Sequence, residues 1–166
     1  MSVVGLTGNV EWEVSLDGVV LRRGHSRNLV TQVGDQLYAE RGAAIASPPA
    51  TPTGMKLGTG STSASKSGAG AALTTYLANS HLAFDSTYPS SALSGSARRI
   101  TYVCTFAPGK ATSGVPITEA VIVNEALTDA TSVEAKTISR ALLIGIGSKG
   151  AGETLTVTWT HDLMGA

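Results

Sequence analysis

Gly150-Ala-Gly-Glu-Thr-Leu-Thr-Val-Thr-Trp-Thr-His161 decides how this 166-residue chain is read. From Thr154 threonine alternates with Leu155, Val157 and Trp159. One face is therefore apolar and the other a row of hydroxyls. A period of two marks a half-buried strand, and β-branched threonine suits an exposed pleated surface. Just upstream, Ile138 to Ile146 is a second β-prone run, and Gly147-Ser-Lys-Gly-Ala-Gly152 supplies a flexible turn. The pair predicts a hairpin.

Working outward, Val10, Trp12, Val14 and Leu16 alternate with Glu11, Glu13 and Ser15, a first strand with one wet face. Asp17-Gly18 signals a tight turn with Val19 to Leu21 returning beside it. The period then changes. Leu29, Val30, Val33 and Leu37 follow helical spacing, which predicts a helix near residues 28–41. Ser26 or Asn28 can cap its start, Gly42 can close its end, and Pro48, Pro49 and Pro52 forbid continuation. Gly34 lowers the helix propensity by about 1 kcal/mol relative to alanine, so packing must hold this helix.

Met55-Lys-Leu57 is a short strand that runs into Gly58-Thr-Gly60 and a Ser/Gly/Ala stretch from Ser61 to Ala72. Alone, such a stretch is a flexible linker; neighbouring subunits or a local fold would be needed to order it. Leu73 to Leu77 can form one helical turn, and His81 to Gly95 reads as a long irregular connection. Strand candidates follow at Ala97 to Phe106, Ile117 to Asn124, Thr137 to Ile146 and Glu153 to Leu163, punctuated by Pro108-Gly109 and Ser113-Gly114. The expected architecture is one all-β domain over residues 1–166, an antiparallel β-sandwich of jelly-roll type with one short helix. It carries an N-terminal arm 1–9 and loop-rich stretches 43–72 and 81–95. Val10, Trp12, Val14, Ile100, Tyr102, Cys104, Phe106, Leu155, Val157 and Trp159 are expected to point inward. No long-period repeat is evident, which argues against a solenoid.

Composition bounds the function. Charged residues make up 14% of the chain, well below the ~25% of an average soluble domain. Nineteen glycines and abundant alanine, serine and threonine fill the gap. Little surface charge suits a body that other protein covers. Lys plus Arg equals Asp plus Glu at 12 each. Nucleic acid binding needs a basic excess to displace counterions, so none is expected, and Arg22-Arg23 and Arg98-Arg99 read as solvated strand ends. The single cysteine excludes an internal disulfide, and Cys104 falls in phase with core residues. The N-terminus has no secretory pattern, and the longest strongly apolar run, Ala141 to Ile146, is far short of the ~20 residues that span a bilayer. A soluble compartment and no membrane partner are expected.

The catalytic patterns fail one by one. Gly60-Ser-Thr-Ser-Ala-Ser-Lys66-Ser67 lacks the glycine that a phosphate loop needs immediately before its lysine. His25, His81 and His161 share no metal-ligand spacing. His161-Asp162 has no Gly-x-Ser-x-Gly elbow to join, and His161 reads as a boundary residue at the sandwich rim. Glu11 and Glu13 share a strand face but lack the sugar-stacking cleft of a glycosidase. No enzyme, cofactor or metal is expected.

Four segments in order resemble small virion proteins of tailed bacteriophages, a group that includes head decoration, cement, tail-fibre and minor structural proteins. They are Arg27-Asn-Leu-Val-Thr31 with Gly34 and Leu37; Met55-Lys-Leu-Gly-Thr-Gly60; Ile117-Thr-Glu-Ala120; and Lys149-Gly-Ala-Gly-Glu-Thr-Leu-Thr-Val-Thr-Trp159. The resemblance spans roughly residues 21–162. The chain departs from it at Val121-Ile-Val-Asn124, where many relatives run Gly-Leu-Phe, and at 81–95, which is peculiar to this sequence. It implies a capsid decoration or cement protein of the virion, assembled in the bacterial host cytoplasm and bound to the major capsid protein. Self-association as a dimer or trimer is also implied. The alternatives are a tail-fibre or baseplate component for host attachment and, third, a soluble carbohydrate-binding sandwich. A cement protein needs loops or termini that reach across neighbours, so the candidate assembly contacts are Val3, Val4 and Leu6 in the arm, Gly58, Thr59, Gly60 and Lys66 in the Gly/Ser stretch, and Tyr76, Phe84 and Tyr88 around the long connection.

Overall fold

The computed structural model describes residues 5–164. In chain order these form β1 (Gly5–Leu16), β2 (Val19–Val30), α1 (Gln32–Gly42), β3 (Gly54–Gly58), β4 (Leu82–Ala83), β5 (Ser90–Ser94), β6 (Ala97–Phe106), β7 (Glu119–Val123), β8 (Thr137–Leu142) and β9 (Thr154–Met164). The fold is predominantly β with one short α-helix. All nine strands join one antiparallel sheet in the order β4-β3-β7-β8-β2-β1-β9-β6-β5. The sheet curls into a half-barrel. The long strand β2 makes the corner: residues 19–27 pair with β1, and Asn28 to Val30 pair with β8. Curling brings the far end round to β6, where the Asp85 amide donates to the Val103 carbonyl at 2.8 Å.

The alternation read from 154–160 organises the core. Leu155, Val157 and Trp159 are fully buried, and the threonines between them are half-exposed. Val10, Trp12 and Val14 from β1 and Tyr102, Cys104 and Phe106 from β6 join them, with Ile100 packed at the margin. The opposite half contributes Met55, Leu57, Ala120, Ile122, Ile138 and Ala141 to the same cluster. Asp17 and Gly18 both have positive φ, 49° and 80°, as the tight β1–β2 turn requires.

Several expectations change. Ile138 to Ile146 does not form a hairpin with β9: β8 pairs with β7 and β2, whereas β9 lies between β1 and β6. The first five residues of β8 are buried, so this strand needs a neighbour on each side and cannot serve as an outer hairpin arm. The Gly-rich segment after it is a crossover. Residues 28–30 are strand because pairing with β8 outweighs their helical spacing. The helix starts at Gln32, capped by Thr31, whose Oγ1 accepts from the Gly34 amide at 3.2 Å and donates to the Thr137 carbonyl at 2.5 Å. The short helical turn lies at Gly68–Ala71 rather than 73–77, and the stretch 81–95 contains β4 and β5. Within the arm 1–9, residues from Gly5 onward already belong to β1.

Gly34 has a role that propensity does not reveal. A Cβ there would sit 2.2 Å from the Ile138 carbonyl, so α1 rests directly on the β8 backbone. Gly34→Ala is therefore expected to destabilise by roughly 2–3 kcal/mol, overpacking outweighing the ~1 kcal/mol propensity gain. Urea unfolding measures this; an unchanged or higher midpoint would contradict the close seat.

Candidate functional site

The outer face of the β2-β1-β9-β6 half is a grid set by strand register. One row runs Arg23–Glu13–Thr156–Thr105, the next His25–Glu11–Thr158–Val103, and the third Arg27–Asn9–Thr160–Thr101. A basic column thus lies beside an acidic one, and a hydroxyl column beside that. Two open troughs of about 580 and 710 Å³ follow this face and share Glu11 and Thr158. At one end Arg99 grips Asp162 through two bonds of 2.7 and 2.8 Å, which hold that carboxyl below the usual aspartate range. Such a face offers polar contacts to another surface. It offers no tryptophan for stacking on a sugar, since Trp12 and Trp159 are no more than 4% exposed.

The opposite half carries a buried clamp. Glu119 opens β7, and Arg140 sits on the neighbouring β8; both side chains are completely buried and bond at 2.7 Å. The carboxylate also accepts from the amides of Gly60, Thr74 and Thr75 at 3.0, 3.2 and 2.7 Å, and from the Thr74 hydroxyl. Arg140 donates in turn to the Gly70 carbonyl at 3.1 Å. Both ends of the Gly/Ser-rich stretch are thereby tied to one charge pair. The local fold alone accounts for its order. Glycine is required at Gly60, where a Cβ would meet Thr74 Oγ1 at 2.0 Å and Glu119 Oε1 at 2.4 Å.

Two smaller clusters add to the polar interior. Lys56, fully buried on β3, donates to Glu125 at 2.9 Å and to the Ala130 carbonyl at 2.8 Å, and Ser132 bonds the same carboxylate oxygen. His161 is also fully buried, between Tyr38 of α1 and Tyr102 and Trp159 of the sheet. Trp159 donates its indole N–H to Nε2 at 3.2 Å, which leaves the imidazole proton on Nδ1, 2.7 Å from the Tyr38 hydroxyl. Tyr38 and Tyr102 are 2.8 Å apart through their hydroxyls. Burial lowers the His161 pKa to about 3, so the ring is neutral and works as a docking post for the helix. The rim position expected for it is replaced by a core one. Cys104 is buried too, and desolvation pushes its thiol above the usual range. Among the described residues no group of three His, Cys, Asp or Glu could hold a metal ion.

The contact candidates fall in unlike places. Val3 and Val4 lie outside the described residues. Leu6 is half-buried in β1 opposite Leu163 and lines one trough. Gly58 and Gly60 are buried, and the Thr59 amide bonds the Thr75 carbonyl. Lys66 is exposed and pairs with Asp35 of α1 at 2.6 Å, while its carbonyl receives the Gln32 amide. Tyr76 is half-buried and bonds His81 and Asp129. Phe84 packs on Tyr102 with ring centroids 5.1 Å apart, and Tyr88 is exposed. Those among the described residues do not form one patch.

Sequence reasoning passed over Glu119, Arg140 and Lys56, because a charge inside a β-prone run does not say whether its side chain meets water or a partner. The legible hint was Glu119 within the apolar run 117–123. Comparison with protein-family models, curated proteins and solved structures finds no match for this chain.

Proposed function

We propose that this chain is a non-enzymatic structural subunit of a bacteriophage virion, a capsid decoration protein that stabilises the head by binding the major capsid protein. The carrying observation is the ordered set of four segments resembling small virion proteins. Those segments also belong to one framework. Glu119, from the third, binds the amide of Gly60, from the second, and β3 pairs with β7 throughout. The first segment forms the β2–α1 corner, and the fourth leads into β9. The curled sheet then acts as a sandwich-like, jelly-roll-like body whose two halves cover a common core. A rigid, weakly charged body with a broad polar face suits attachment in many copies, where modest contacts add through multivalency.

Quantitative mass spectrometry of purified virions tests the reading. Hundreds of copies per particle are expected, with loss of heat resistance when the protein is absent. A few to a few dozen copies, with full heat resistance but failed adsorption to cells, would move the protein to the tail or baseplate. Absence from the particle would end the virion reading altogether.

A further inference from the structure

The tip of the β1–β2 hairpin breaks the burial pattern. Val19, Val20 and Leu21 are 65, 46 and 47% exposed, and Leu16 opposite them is 41% exposed. Val19 and Val20 pair with Leu16 and Ser15 and so point to opposite faces, while Leu21 is the extra residue of a bulge without a partner on β1; both faces of this strand end are apolar and wet. Single exposed hydrophobics are ordinary, but a contiguous group marks an interaction surface. Arg22, next along the strand, is already matched: it bonds Glu153 through two contacts and donates to the carbonyls of Ile146 and Ser148. The backbone is open as well. β8 joins β2 only from Asn28, so no strand lies beside Val19 to Leu21 on that flank. An apolar strand end with a free edge is a template for another strand.

We infer that this edge pairs with the same edge of a second copy of the chain, antiparallel about a two-fold axis at Val20. That register sets Val19 of one copy against Leu21 of the other and Val20 against itself. It also carries Asp17 of each copy toward Arg23 of the other; among the described residues neither takes part in an ion pair within its own chain. This charge complementarity selects a second copy over an unrelated strand. The net charge of zero removes long-range repulsion between copies. The patch is small against the roughly 800 Å² per partner of a standard interface, so the pairing is a reversible one. The inference stands apart from the virion reading and holds or fails without it.

Sedimentation velocity across a concentration series tests it. The full chain should show a monomer–dimer equilibrium, and Val20→Glu should weaken it about 100-fold or more by forcing a carboxylate into the apolar seam. Because Val20 is half in water already, folding should survive, as near-ultraviolet dichroism from the buried tryptophans would show. Asp17→Arg and Arg23→Asp should each weaken the dimer, and the double exchange should restore it. Leu93→Glu, exposed on the sheet-edge strand β5, should leave it unchanged. A chain that stays monomeric at high concentration overturns the inference, as does a dimer that Leu93→Glu dissolves and Val20→Glu does not.

Discussion

Glu119→Ala should lower the unfolding free energy by about 3–5 kcal/mol, a large share of what a domain of this size possesses. The Arg140 guanidinium would be left fully buried with no counter-charge, its remaining hydrogen bond directed to the Gly70 carbonyl. The amides of Gly60, Thr74 and Thr75 would lose their acceptor in the same step. Arg140→Ala should cost a similar amount, for it strands the carboxylate instead. The two losses should not add. Replacing both with apolar residues removes the lone charge, so Glu119→Leu with Arg140→Met should cost less than the sum of the two single changes. Local order provides a second readout. Lys66 lies in the strap between Gly60 and Gly70 and is an exposed trypsin site. Cleavage after Lys66 should accelerate in Glu119→Ala before global unfolding does. If urea unfolding of Glu119→Ala falls within 1 kcal/mol of the parent, the pair is not the clamp described above.

The strand content was legible because period-two stretches record which side chains face the core. Residues 10–14, 100–106 and 155–159 all face as their alternation says. What periodicity cannot supply is neighbourhood. Thr137 to Leu142 looks like the partner of β9 because the two are close in sequence with glycines between them. Its burial on both sides instead places it in the interior of the sheet. The start of α1 was misread for a related reason: Leu29, Val30, Val33 and Leu37 satisfy a helical spacing, yet Asn28 to Val30 gain more from pairing with β8. The polar interior was the least legible part. Glu119, Arg140, Lys56 and His161 are burial exceptions, and each has a partner about 20 to 120 residues distant. Gly34 shows the same limit, since its lack of a side chain answers to a carbonyl on another strand.

Stability should fall with acid well before the carboxylates titrate, and His161 is the reason. In the unfolded chain its imidazole takes a proton near pH 6.5, whereas in the folded chain burial holds the pKa at about 3. A depressed pKa means that the unfolded state binds the proton first. The stabilising term is therefore fully present above pH 6.5 and is lost as pH falls from there toward 3, at ~1.4 kcal/mol per pH unit. Tyr38, Tyr102 and Trp159 face the ring, and the neighbouring Asp162 favours its protonation only slightly against desolvation. Asp162, Glu153 and Asp129 are held below the usual carboxylate range, so their stabilising terms persist above the normal carboxyl pKa and are lost only in stronger acid. The interval from pH 6.5 to 4.5 spans most of the expected His161 loss. Urea midpoints over that interval should register a loss of about 2–3 kcal/mol. His161→Gln should be less stable at pH 7.5, because the Tyr38 contact that seats α1 is weakened, yet its stability should be nearly flat from pH 6.5 to 4.5. Removal of the Tyr38 hydroxyl by Tyr38→Phe should loosen the helix while preserving the slope, since the ring stays buried. A parent protein with no slope in this interval would mean that water reaches His161, and the docking post would have to be abandoned.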